Sequence, residues 1–473
     1  MTRAAVLVFS LAAAAILSFR PIYEPDLWWH LAHGRENAAG RIVRSNVFSF
    51  TYAEYRQRYT SWLFDTSAYL AWRSAGHAGI QLLQTVTLTA SLVTLFAACR
   101  KRAPAWAAAT ILLLAFFVLE PRAIPRPHLV SFAGLALCAL LIERAVERRT
   151  AAPLRWAIPV VAIWSNFHVE CVFGVLMLGV FAIAETARPG RLTRAEARKA
   201  IAITAVCSLA TLANPYGWGL AAYLYENLSV PAILAIAELQ PPRLPAYRAF
   251  FAFAALAVLL LAVEPRRLTL SELATVLVFA ALGFLHLRET PLVVFAAAPL
   301  IASRLDALTR HRVDYRAITF TMVLASLTMS RIPLPLLLTE FAIGKRAVEP
   351  PRFFSSAAID FAATAGLEGP LFNSHNLGGY IAWTMYPRAR VFQDSRLQAY
   401  PPEHFRAIIE ASGKQEDWNA LTAGVDWAMV SVPRPNQLSG AGRFPASGWR
   451  SVYQDEAIEI VVRRTGKFGE AGR

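Results

Sequence analysis

The chain is poor in charge. Only 17% of its 473 residues are Asp, Glu, Lys or Arg, and 56% are hydrophobic. A soluble domain carries about 25% charged residues, so an ordinary soluble protein is excluded. Acids are the scarcer sign, 32 against 47 Lys and Arg, for a net charge of +15. Such an excess can mark a nucleic-acid binder. Here most of the basic residues lie in short loops between apolar runs, where topology explains them better, and no nucleic-acid partner is expected. Cysteine is scarce too. Cys99, Cys138, Cys171 and Cys207 lie in or at the ends of apolar runs, with no two at ligand spacing. They read as small core residues, with no disulfide framework and no metal centre. No H-x-x-x-H or H-E-x-x-H spacing, fixed-period repeat or low-complexity tract occurs. No small-x-small cleavage site precedes Arg20-Pro21, so the first segment is expected to stay as a signal-anchor.

What is abundant is apolar sequence in long runs. A transmembrane helix needs about 20 apolar residues. Spans are expected near Ala4–Ser18, Gly79–Ala98, Ala105–Leu119, Leu129–Ile142, Trp156–Trp164, Val172–Ala184 and Ala200–Leu212. Others fall near Ala249–Val263, Leu273–Leu287, Pro291–Ala302 and Ala317–Ile332. This describes a polytopic α-helical membrane protein of about eleven transmembrane helices. Ser61–Trp72 reads as an interfacial helix before the second span, and Leu220–Leu239 as another. The expected organisation is a transmembrane domain over 1–345, with a long first outer loop at 20–62, and a small C-terminal α/β extracytoplasmic domain over 346–473. In that tail, runs such as Trp427–Val432 and Ile458–Val462 suggest strands beside a helix near Pro402–Ser412.

Arginine-rich loops alternate with the rest: Arg100-Lys101-Arg102, then Arg144 to Arg155, Arg188 to Lys199, Arg266-Arg267, and Arg304 to Arg316. The positive-inside rule places them in the cytoplasm. An odd number of spans then puts the N-terminus inside and the C-terminal domain outside a cytoplasmic (inner) membrane. The intervening loops differ in kind. They hold Glu24-Pro25-Asp26-Leu27-Trp28-Trp29-His30, then Glu120 to His128, Asn166-Phe167-His168-Val169-Glu170, Asn214 to Trp218, and His286 to Pro291. Mixed acid, imidazole and guanidinium groups at membrane ends are what a site needs and topology does not.

The outer face suits a lipid-linked sugar whose phosphate lies at the membrane surface. Breaking the sugar–phosphate bond needs a base for the incoming hydroxyl and cations for the departing phosphate. Asp26 is the best base, with Glu24 beside it. Arg122, Arg126, His128 and Arg288 are candidates for the donor phosphate, because guanidinium forks match its oxygens. Trp28, Trp29 and Trp218 suit stacking on the sugar or the first isoprenes. His30, Asn166, His168, Glu170 and Glu289 complete the set that would contact sugar or lipid. Simpler readings stand beside these: snorkelling for Arg122 and Arg126, an interfacial belt for the tryptophans, a satisfied pair at a helix end for His168 and Glu170, and a turn at Gly378-Gly379.

Many spans, a candidate acid on a long first outer loop, interfacial helices and a C-terminal outer domain resemble the GT-C integral-membrane glycosyltransferases. That group includes the protein O-mannosyltransferases and the aminoarabinose transferases. At motif level the resemblance lies in Pro25–Arg35 and in the Asn373–Arg396 segment. It implies a polyprenyl-phosphate sugar donor, an envelope glycan, lipid or protein acceptor, and inversion at the anomeric carbon. It also implies that Asp26 activates the acceptor, and it leaves room for a divalent cation such as Mg or Mn. Many relatives carry Asp-Glu where this chain has Asp26-Leu27, with Glu24 offering a Glu-x-Asp substitute. Two other readings are a transporter or flippase of an envelope lipid, and a non-catalytic scaffold of an envelope-synthesis complex. A transporter would carry ionisable groups near midspan and show repeated halves; neither is evident here.

Overall fold

The computed structural model describes residues 24–56, 60–229, 237–262, 265–309, 354–432 and 444–470. The chain divides into two compact units. One comprises Met1–Arg20 and Gln81–Lys345, and the other Pro21–Ile80 and Arg346–Arg473. The first loop therefore folds with the C-terminal segment.

The first unit is a helical bundle. With the helix that enters it, Trp62–Cys99, four described helices are long and apolar enough to cross a membrane, the others being Ala105–Arg122, His128–Glu147 and Leu287–Leu308. Shorter apolar helices cover Ala152–Trp164, Cys171–Ala187, Arg248–Leu261 and Leu270–Leu285. The spans expected at Ala4–Ser18 and Ala317–Ile332 lie outside the described residues. Trp62–Cys99 contains the expected interfacial helix and the following span as one run, broken where Ala75 and Gly76 leave helical φ/ψ. The core is aliphatic and aromatic, with Phe132, Trp164, Phe181, Phe250, Phe279 and Phe295 fully buried. All four cysteines are buried thiols.

One end of the bundle holds an ion network rather than solvated loop charge. Arg102 donates from Nε to Glu143 and from Nη2 to Glu272, both at 2.7 Å. Arg191 donates to the same Glu143 oxygen at 2.7 Å. Glu185 accepts the backbone N–H groups of Gly190, Arg191 and Leu192 and the Ser271 hydroxyl. The loop arginines that read as topological signals are, at these two positions, also interior clamps.

The second unit, of mixed helix and strand, is built on a five-stranded sheet, with β1 Gly369–Asn373, β2 Ala389–Val391, β3 Trp427–Ser431, β4 Trp449–Gln454 and β5 Ile458–Arg463. The order is β2-β1-β3-β5-β4. β1 pairs in parallel with β2 and β3, while β5 runs antiparallel to β3 and β4. Parallel neighbours need crossovers. Helix Gly378–Met385 makes the first, and helices Pro402–Ala411 and Gln415–Leu421 lie on the second. The free edge of β2 is occupied by the first loop: Ser49 bridges Val391 in parallel, Val391 N–H donates to Phe48 O at 3.0 Å, and Phe50 N–H to Val391 O at 3.2 Å. An edge strand left open is a liability, and here the loop closes it.

Helix Asp26–Ala38 packs on helix Gly378–Met385. Gly378-Gly379 begin a helix rather than form the expected turn; Gly379 faces helix Asp26–Ala38, and Gly378 faces the Gln393–Asp394 backbone. A Cβ on Gly379 would lie 3.2 Å from both Pro25 O and Trp29 N. One on Gly378 would collide with Gln393 O and lie 2.6 Å from the Asp394 Cβ. Substituting Gly378→Ala should therefore destabilise this unit by about 1–3 kcal/mol, the usual cost of overpacking, with a smaller effect for Gly379→Ala. Thermal unfolding of the two variants in detergent checks the order; equal, negligible losses would show that neither glycine is needed for close approach.

Candidate functional site

Asp26 opens helix Asp26–Ala38, where its charge complements the helix dipole. Its side chain is half-buried and accepts a short hydrogen bond from the Ser395 hydroxyl. Glu24 turns back on the same turn, with Oε1 accepting the Asp26 N–H at 3.2 Å. Behind the pair lies a buried polar network. Arg396 grips Asp394 with two parallel bonds, Nε to Oδ1 at 2.9 Å and Nη2 to Oδ2 at 2.5 Å. Its remaining donors reach Asn46 Oδ1 and His33 Nε2, each at 2.8 Å. Tyr400 donates to Asp394 Oδ2 at 3.1 Å. A guanidinium only donates, so His33 Nε2 must accept and the imidazole keeps its proton on Nδ1. That atom faces Asp65 Oδ2 at 3.9 Å, while His30 Nδ1 meets Asp65 Oδ1 at 2.6 Å. Asp65 is fully buried. It was missed in the sequence, although a lone acid within the apolar stretch Ser61–Trp72 was a usable signal.

Trp28 is only 2% exposed, enclosed edge-on by Trp72, Tyr380, Phe354 and His77. Its indole face is core surface, not an open stacking platform. Trp29 is also buried, stacked on His30 at 3.7 Å. The Trp-Trp-His run thus anchors the helix that carries Asp26.

The arginine candidates lie in the bundle unit. Arg122 and Arg126 both donate to Glu238 Oε1, at 3.1 and 2.8 Å. Burial pushes the Glu238 carboxyl up, but Arg122, Arg126 and Arg288 outweigh it and hold the group well below its ordinary range. His128 Nε2 donates to the Arg122 carbonyl at 2.6 Å, which leaves Nδ1 to accept from Arg122 Nη2 at 3.5 Å. In a second cluster Trp164 Nε1 donates to the Ser131 hydroxyl oxygen at 3.1 Å, and His168 Nδ1 faces both that oxygen at 2.9 Å and Glu170 Oε2 at 3.3 Å. Arg288 closes it, 3.5 Å from Glu170 and 3.3 Å from Glu289. Arg122, His128, His168, Glu170 and Glu289 are all buried, so these side chains do not snorkel. Asn166 donates to the Ala162 and Ala213 carbonyls at 2.8 Å, a turn-joining amide. Trp218 is 74% exposed. Among the described residues no group of three or more His, Cys, Asp or Glu is arranged to hold a metal ion.

Solved structures supply the comparison. The chain superposes on the Archaeoglobus fulgidus oligosaccharyltransferase with a TM-score of 0.61 and 11% identity, over 91% of this chain and 69% of that one. ArnT of Cupriavidus metallidurans, bound to undecaprenyl phosphate, matches with a TM-score of 0.53 and 13% identity, over 98% of both chains. Both are GT-C membrane glycosyltransferases. The chain has the GT-C fold. No family model and no curated protein sequence matches it. At these identities the likeness concerns fold, and with its apolar helices it makes the chain an integral membrane protein.

The second unit should show a defined acid sensitivity. Burial lowers His33 well below 6.5, with Arg396 and His30 adding to the effect, and burial also lowers His375. Burial brings His404 down to about 4. These imidazoles are neutral in the folded state, so between their folded values and 6.5 the unfolded chain binds more protons. Stability is then full above about pH 6.5 and is lost as pH falls through that window. His404 sits among Tyr52, Phe392, Tyr400 and Phe405. Melting curves from pH 7.5 to 4 should show a falling midpoint, and a smaller fall in His404→Phe. An identical fall in that variant would remove buried histidine as the cause.

Proposed function

We propose that the chain is a membrane glycosyltransferase that moves a sugar from a polyprenyl phosphate to an envelope acceptor, with inversion. The observation that carries this reading is a half-open aspartate at a helix start, held from behind by a closed polar network, on a GT-C fold. Asp26 takes the proton of the acceptor hydroxyl as that oxygen attacks the anomeric carbon. The bond from the anomeric carbon to the phosphate oxygen breaks, and its electron pair leaves with the polyprenyl phosphate. One displacement inverts the centre. Arg122, Arg126 and Arg288 are the groups suited to the departing phosphate, while His128, expected beside them, has both ring nitrogens engaged by Arg122 and serves to hold it. The ArnT structure with undecaprenyl phosphate and the archaeal enzyme's complex with an inhibitory peptide and a dolichol-phosphate support the class of donor. Glu24 acts through the backbone of Asp26 rather than on substrate.

The accompanying topology has about eleven spans, a cytoplasmic N-terminus and an extracytoplasmic C-terminal domain. The charge alternation between loops supports it.

Lipid extracts provide the test. In a strain lacking the gene, mass spectrometry should show a polyprenyl-phosphate sugar that wild-type complementation removes. Asp26→Asn should leave it accumulated, since a positioned general base is typically worth about 10²–10⁴ in rate. Clearance of the lipid by Asp26→Asn would move the flippase or scaffold readings ahead.

A further inference from the structure

We infer that Ser395 is a positioning residue for the transfer, supplied by the C-terminal segment to aim the Asp26 carboxylate; this rests on Asp26 acting as the base. Ser395 donates to Asp26 Oδ1 across 369 positions of sequence. Both residues are half-buried, whereas the residues that flank Ser395 are closed off: Asp394 is 0% exposed and Arg396 3%. The Arg396 N–H also donates to Asp394 Oδ1 at 2.9 Å, which pins the backbone at Ser395 itself. Upstream, Asn373 accepts the Phe392 N–H at 2.9 Å and donates to the Gln393 carbonyl at 2.7 Å. The hydroxyl therefore projects from a backbone fixed on both sides.

The other partner is equally constrained. Glu24 holds the Asp26 N–H, and the Gly379 approach holds the Pro25–Trp29 turn against helix Gly378–Met385. A short side-chain bond joins these two rigid backbones, and through it Ser395 helps to fix the rotation of the Asp26 carboxyl plane. A base must lie within hydrogen-bond reach of its proton, and misplacement of the order of 1 Å can cost about 10²-fold. Neither the packing core nor the Arg396 network uses the Ser395 hydroxyl, which separates this role from a structural one.

The test uses the purified full-length chain in phospholipid vesicles, with the sugar-lipid fraction from the deletion strain as donor and that strain's membranes as acceptor. Release of free polyprenyl phosphate is followed. Ser395→Ala should lower kcat roughly ten- to a hundredfold, the range for losing a hydrogen bond to a charged group, with KM for the donor and the melting temperature unchanged. Ser395→Thr, which keeps the hydroxyl, should recover most of the rate. Wild-type kcat in Ser395→Ala, with Asp26→Asn inactive, would overturn the inference and leave the proposed function standing. Activity in Asp26→Asn would overturn both. Should Ser395→Ala melt early, Ser395→Thr decides alone: folded but as slow as Asp26→Asn, it contradicts the role; near wild-type, it supports it.

Discussion

The mixed unit depends on a charge that cannot be shed. Arg396 stays protonated at any physiological pH, and its side chain is almost completely enclosed. A buried guanidinium must be met on every side, and removing one partner of such a pair typically costs about 3–5 kcal/mol. Asp394 meets it from two positions away, but Asn46 and His33 meet it from the first loop. This requirement draws residues 24–56 onto the C-terminal segment. Once they are there, His33 has one allowed tautomer and Asp65 collects the two histidines. Phe48 lies under the guanidinium at 5.3 Å, and the strand edge at Val391 is closed. The placement of Asp26 follows from the same constraint.

Much of the bundle was legible in sequence because lipid imposes a simple code. Apolar runs marked helices among the described residues, four of them long and apolar enough to cross a membrane, and the interfacial stretch at Ser61–Trp72 did prove to be a helix running into the next span. The Pro25–Arg35 and Asn373–Arg396 segments were both singled out, yet their contact was not foreseen. Nothing local in either marks the other as a partner, since the bonds that join them, such as Arg35 to the Trp383 carbonyl and Arg396 to His33, span 348 and 363 positions. Trp28 illustrates the opposite difficulty. A tryptophan beside a membrane span reads equally well as interface, ligand platform or core, and only packing against Trp72, Phe354 and Tyr380 decides. Gly378-Gly379 likewise carries one signal for a turn and for close approach.

The groups suited to phosphate belong to the bundle, where Arg122, Arg126 and Arg288 are already charge-matched by Glu238, Glu170 and Glu289. Asp26, the proposed base, belongs to the second unit, where it pairs with Ser395 beside the Arg396 network. Loop arginines have a similar double character: Arg102 and Arg191 fit the topological rule, and both are locked between Glu143 and Glu272.

A base that activates the acceptor for one displacement leaves a stereochemical record. The decisive measurement is the anomeric configuration of the transferred sugar, by NMR, in the polyprenyl-phosphate donor and in the product made by the wild-type chain. Opposite configurations are what the account requires. Retention would demand a covalent sugar–enzyme intermediate or a different reaction, and would contradict the role given to Asp26.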